Sequence, residues 1–127
     1  MSARRFEYAV TERLGEPPHA EPDWTPEHLL LAGLARCTLK SLDFHAERTG
    51  FAASGSAAAA GVVTRREDDG RYAFVEIECG LDVELEPRPD GEALAELLDL
   101  AERDCFVGAS LTPNPRYEWR VNGEVVR

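Results

Sequence analysis

Basic residues are scarce in this chain of 127 residues: 14 lysines and arginines face 24 aspartates and glutamates, for a formal net charge of −10. Phosphate backbones need a basic surface, so nucleic acid is not expected as a partner. An anionic membrane surface is disfavoured on the same ground. Long apolar runs are missing as well. The longest, Leu29 to Ala35, is interrupted by Gly33 and falls far short of the ~20 residues that cross a bilayer. Arg4 and Arg5 are not followed by the apolar segment of a secretory signal, so the expectation is a soluble cytoplasmic protein without a membrane partner.

Cysteine is sparse too. Cys37, Cys79 and Cys105 are odd in number and far apart, which does not describe a disulfide framework. There is no C-x-x-C. His19, His28 and His45 show no ligand spacing with one another or with the cysteines, and no metal site is expected. Gly-rich phosphate loops and G-x-S-x-G elbows are also absent, so no cofactor is expected.

The elements that are present alternate between the two hydrophobic periods. Phe6 to Thr11 reads as a short strand with Phe6, Tyr8 and Val10 on one face. After the loop "GEPPHAEPDW", Thr25 caps a long helix, Pro26 takes its first position and Glu27 complements its dipole. Trp24 and Leu29 are spaced for a hydrophobic staple across that cap, and Gly50 closes the helix. From Leu29 to Leu39 this helix is apolar on nearly every side. Such a helix must be covered all round, which a single small domain rarely achieves, so a partner chain is expected.

"SAAAAG" favours helix by propensity, but its position before the Asp69-Gly70 hairpin signal assigns residues 51–66 to a strand. In the next strand Val75, Ile77, Cys79, Leu81, Val83 and Leu85 face one way, and Glu76, Glu78, Asp82, Glu84 and Glu86 the other. "PRPDG" interrupts the chain, and Asp90 caps a second helix with Leu94, Leu97, Leu98 and Ala101 at core spacing. That stripe runs on to Cys105. Arg116 to Val126 alternates again, with Tyr117, Trp119 and Val121 on one side and Arg116 and Arg120 placed to offset the acidic strand.

Cys79, on the apolar face of a strand, reads as a small core hydrophobe. Cys37 and Cys105 each admit two readings, core packing or reactive thiol. Arg36 and Lys40 near Cys37 favour a thiolate, and they equally suit arginine and lysine stems lying along a helix edge. Cys105 lies where a helix stripe ends at "DCFVGASL", next to the dipole of a following short turn.

"TPEHLLLAGLARC" resembles the central-helix signature of the OsmC/Ohr family (osmotically inducible protein C and organic hydroperoxide resistance proteins). Glu27 and Cys37 match its spacing, ten residues apart. "LAERDCFVGASL" resembles the same family's second cysteine motif. The resemblance runs over nearly the whole chain. It implies an α+β fold with an antiparallel sheet and a long central helix, one OsmC-like domain over residues 1–127 with a shortened N-terminal strand region, and an intertwined homodimer. It further implies a cysteine-based peroxidase acting on organic hydroperoxides in oxidative-stress defence. By the resemblance, Cys37 is the peroxidatic thiol oxidised to a sulfenic acid, and Cys105 the resolving thiol. An external thiol reductant resets the pair. Glu27 would hold an arginine beside the thiolate, and Arg13 is the candidate for it by position. Three departures stand out: the region before the first helix cap, where the family carries its catalytic arginine, is short, Phe106 occupies a place where the family commonly has proline, and Arg36 directly precedes Cys37 where small residues are usual. The first two motivate an alternative, a small-ligand-binding or redox-sensing protein of the same fold with weak or no turnover.

A geometric argument is independent of the family. Ten helical residues span about 15 Å, so Glu27 cannot touch Cys37 on its own helix. If both serve one site, a second chain must deliver one of them.

Overall fold

The long first helix begins at a fully satisfied cap. Thr25 Oγ1 accepts the His28 N–H, while His28 Nδ1 accepts the Thr25 N–H at 3.0 Å, a reciprocal arrangement in which histidine takes the place usual for glutamate. In the computed structural model, which describes residues 3–18 and 20–127, this helix is α1 (Pro26–Arg48). His19, considered above as a metal ligand, lies outside the described residues. Trp24 stacks on His28 with ring centroids 5.8 Å apart, and Leu29 stays 52% exposed. At the other end Gly50, with φ +89°, lets its own N–H reach the Glu47 carbonyl and the Phe51 N–H reach that of Ala46. These are the paired bonds of a Schellman stop.

Five strands form one sheet in the order β1 (Phe6–Arg13), β2 (Ala52–Arg65), β3 (Tyr72–Glu86), β4 (Arg116–Val121) and β5 (Glu124–Val125). The alanines of β2 yield their helix propensity to position, because pairing with β1 and β3 makes it an interior strand. Ala57 and Ala59 are buried on the face that α1 covers, and their small side chains admit the helix closely. Along β3 the expected alternation holds from Ile77 to Leu85. It fails at Val75. A bulge between Val62 and Val63 shifts the register so that Val63 opposes Phe74, which packs on the core in Val75's place.

The sheet is mixed rather than wholly antiparallel, since β4 runs parallel to β3. Parallel pairing needs a long crossover. Here it is made by α2 (Gly91–Arg103), the single turn α3 (Phe106–Ala109) and the loop that follows. Nor does residues 116–126 form one strand. Asn122 and Gly123, both with positive φ, fold β5 back on β4, and this Asn-Gly pair is itself a strong hairpin signal. Arg116 pairs with Glu78 on β3 as expected, whereas Arg120 donates to the Gly123 carbonyl.

The core lies between the sheet and the two long helices. Leu31, Leu34, Leu39 and Leu42 of α1 meet Leu97, Leu98 and Ala101 of α2 and the inward residues of β3 and β4. Each buried leucine contributes about 1.5–3 kcal/mol from apolar transfer. One flank of α1 is left uncovered: Leu29 and Phe44 are 52% and 55% exposed, so the all-round apolar helix is not enclosed within one chain. Trp119 is fully buried and donates its indole N–H to Glu102 Oε2 at 2.7 Å, tying β4 to α2. Trp119→Ala should therefore lower unfolding free energy by about 3–5 kcal/mol, measured by urea titration.

Candidate functional site

α1 delivers neighbouring residues into different surroundings. Thr38 faces inward and is fully buried, and Cys37 lies half-buried at the flank. The end of α2 brings Cys105, also fully buried, against both. Cys105 Sγ lies 3.3 Å from Thr38 Oγ1 and accepts the Gly108 N–H at 3.4 Å, so the thiol itself caps α3. Thr38 also donates to the Leu34 carbonyl at 3.0 Å. The Cys37 thiol lies close enough to Cys105, and to the backbone N–H groups of Val107 and Phe106, for all three to bear on its charge. Two thiols 68 residues apart in sequence thus adjoin, one sealed and one partly open.

Two more groups complete the cluster. Cys79 of β3 is buried beside Thr38. The Tyr117 hydroxyl of β4 interacts with Thr38 and Cys105, and burial pushes its pKa well up. Gly108 is the residue that allows this closeness, because a Cβ there would stand 2.5 Å from the Tyr117 oxygen and 3.4 Å from Cys105 Sγ.

Electrostatics differ from the sequence expectation. Burial raises the Cys37 pKa, the Val107 and Phe106 N–H groups oppose the rise, and Cys105 reinforces it. Arg36 and Lys40 are not among these causes. Arg36 points instead to β1, where it meets Glu12 Oε1 at 3.1 Å and the Glu16 carbonyl. Lys40 is exposed at the rim. Arg13 faces solvent on β1, paired with Glu16 at 3.2 Å, in a hollow that Cys37 does not line. Glu27 stays in the first turn of α1, about 15 Å along the helix from Cys37. Within one chain, then, the two cysteines come together and Glu27 and Arg13 do not join them.

Cys37 opens onto a cavity of about 650 Å³. Cys37, Ser41 and His45 line it from successive turns of α1, with Lys40 and Phe44 beside them and Asp104 and Phe106 opposite. Phe106, at 79% exposed, stands at its edge. His45 Nε2 meets Asp104 Oδ2 at 2.7 Å. Thr38, Ser41, Tyr117 and the His45–Asp104 pair were not singled out as site residues from sequence. The helical period does place Ser41 and His45 on the Cys37 face, but nothing local pairs His45 with a residue 59 positions away. Among the described residues no group of three or more His, Cys, Asp or Glu side chains is arranged to hold a metal ion.

The Cys79 thiol, pushed up to about 12 by burial, supplies a pH test. Its native state holds the proton more tightly than the unfolded chain, whose thiol titrates near ~8.5. Stability from this group is intact below that value and is lost as pH climbs towards 12. The melting temperature should therefore fall progressively above pH 8.5, and Cys79→Ala should flatten the slope.

The sequence profile of the OsmC-like proteins matches residues 18–120. The sequence has no match among curated proteins. Its fold is similar to that of an OsmC-like protein of unknown function from Vibrio cholerae, at a TM-score of 0.64 and 18% identity over 75% of this chain. The match spans 63% of the Vibrio protein's length. It is also similar to an organic hydroperoxide resistance protein, OsmC, from Legionella pneumophila, at a TM-score of 0.51 and 15% identity, covering 90% of this chain and 96% of the other. With a sequence profile matched over most of its length and an α+β architecture shared with these structures, the chain belongs to the OsmC-like protein family.

Proposed function

We propose that the chain is a thiol-dependent peroxidase that reduces organic hydroperoxides, with Cys37 as the thiol that attacks and Cys105 as the one that resolves. The observation that carries this reading is the contact between the two thiols, with Cys37 at the mouth of a largely apolar cavity and Cys105 sealed behind it. A sulfenic acid formed on Cys37 has its resolving partner already in place, so the disulfide forms by expelling water. The sealed position of Cys105 keeps peroxide from it. An external thiol would then reduce the disulfide. The name of the Legionella protein accords with this chemistry.

A homodimer is part of the proposal. Leu29, Phe44 and Phe106 leave apolar surface uncovered along the flank of α1 that carries Cys37, and a second copy would cover it. Because burial, reinforced by Cys105, raises the Cys37 pKa within one chain, the second chain also has an electrostatic task. Glu27 and Arg13, remote from Cys37 in their own chain, serve the site in this reading only across that interface. The same raised pKa favours a second reading, a binding or sensing protein that holds a small apolar molecule in the cavity without turnover.

Cumene hydroperoxide added to the reduced protein should consume one equivalent and yield a Cys37–Cys105 disulfide by mass spectrometry. Cys37→Ser should abolish consumption, and Cys105→Ser should leave a dimedone-reactive sulfenic acid. Retention of both thiols under excess peroxide, with thermal stabilisation by apolar ligands, would instead establish the binding reading. For the dimer, Phe44→Glu should convert a two-chain mass to a one-chain mass in sedimentation equilibrium. A native protein already monomeric at micromolar concentration would remove the interface from the account.

A further inference from the structure

Thr38 is a polar residue in the leucine stripe of α1, and it is fully buried there. A hydroxyl in such a place is costly unless it is bonded, and this one is bonded twice. Its Oγ1 lies 3.0 Å from the Leu34 carbonyl and 3.3 Å from Cys105 Sγ. A carbonyl only accepts, so the single Thr38 proton goes to Leu34 and the Cys105 S–H is given to Thr38. The Gly108 N–H reaches the same sulfur at 3.4 Å. Cys105 is itself sealed from solvent, so the protein supplies every hydrogen bond that its sulfur makes.

We infer that Thr38 is a positioning residue for the resolving thiol: its hydroxyl holds the Cys105 sulfur beside Cys37 and donates to that sulfur as its proton leaves. This rests on the peroxidase reading above and extends it to the second chemical step. Attack on a sulfenic acid is made by a thiolate, and a sealed thiolate has no water to satisfy it. Of the two groups bonded to the sulfur, the Gly108 amide is fixed in the backbone and donates throughout. The Thr38 hydroxyl turns about its own C–O bond, so it accepts from the thiol and then donates to the thiolate without any shift of α1. The Leu34 carbonyl that it releases keeps its backbone partner within the helix.

The step balances within the protein. The Cys105 sulfur gives an electron pair to the Cys37 sulfur of the sulfenic acid; the S–S bond forms and the S–O bond breaks. The departing hydroxide takes up the proton that Cys105 releases and leaves through the cavity as water. The Cys105 sulfur is oxidised and the Cys37 sulfur reduced to the same level, with no outside reductant. Thr38 keeps its own proton throughout.

The test separates the two steps. Full-length reduced protein is mixed with cumene hydroperoxide under rapid quench, and mass spectrometry follows thiol, sulfenic acid and disulfide. A hydrogen bond to a charged group is at stake only in the second step. Thr38→Val, which keeps the shape and drops the hydroxyl, should therefore slow disulfide formation on the order of 10- to 100-fold more than it slows the peroxide step. The sulfenic acid should accumulate, and Thr38→Ser should restore its resolution. If the valine variant does not fold, Thr38→Ala carries the same comparison. Equal slowing of both steps, an unchanged disulfide step, or a loss that serine does not recover would make Thr38 a packing residue and overturn the inference, while Cys37 still consumes peroxide and the peroxidase reading stands. A native protein in which Cys37 is not oxidised by the peroxide overturns that reading itself, and the role of Thr38 with it.

Discussion

Burial of one stripe of α1 against the sheet and α2 is the constraint on which the rest of the structure depends. Leu31, Leu34, Ala35, Thr38, Leu39, Leu42 and Ala46 are all buried there. Once that stripe is seated, the rotation of the helix is set. Cys37, next to Thr38 but about 100° round the helix, must then emerge at the flank facing the α2–α3 junction. Rotating α1 by one residue would exchange the half-buried thiol for a buried hydroxyl and carry Ser41 and His45 away from the cavity. The geometry of the site is thus a by-product of leucine packing, and the stabilisation of the fold also positions the chemistry.

The junction between α2 and α3 answers that helix from the other side. Asp104 and Cys105 end one helix and begin the next turn, and each contacts α1, Asp104 at His45 and Cys105 at Thr38. Gly108 removes the side chain that would otherwise strike Tyr117, so α3 can settle with its first N–H groups near Cys37. These amides favour a thiolate, but burial outweighs them within one chain. That balance is why a second chain bears on chemistry as well as on covering Leu29, Phe44 and Phe106. The surface ion pairs around the sheet, such as Arg5–Glu76 at 3.8 Å, add little, since exposed pairs are worth about 0–1 kcal/mol each.

The arginines show how charge proximity in sequence misleads. Arg36 stands next to Cys37, yet adjacent helix positions face different directions, and its guanidinium reaches Glu12 on β1 instead. Arg13 sits on the outward face of an alternating strand, where its side chain meets Glu16. Neither outcome is visible without knowing which strand lies beside which face of α1. The same holds for β4. Its alternation was legible, but its direction depends on a crossover whose path is set by where α2 packs.

By itself the sequence determined what is decided within a turn or a pleat. The caps at Thr25 and Asp90, the stop at Gly50, the two-faced run of β3 and the placing of one cysteine in each of two helical stripes are local matters of hydrogen-bond satisfaction and hydrophobic period. The bulge that promotes Phe74 over Val75, the parallel course of β4, the partners of Arg13 and Arg36, and the contact of Thr38 with Cys105 were decided only by tertiary structure. So was the meeting of Cys37 with Cys105, which the motifs suggested by resemblance alone. Each of these depends on contacts between residues far apart in the chain, where side-chain shape and competition for space select one arrangement that no local pattern encodes.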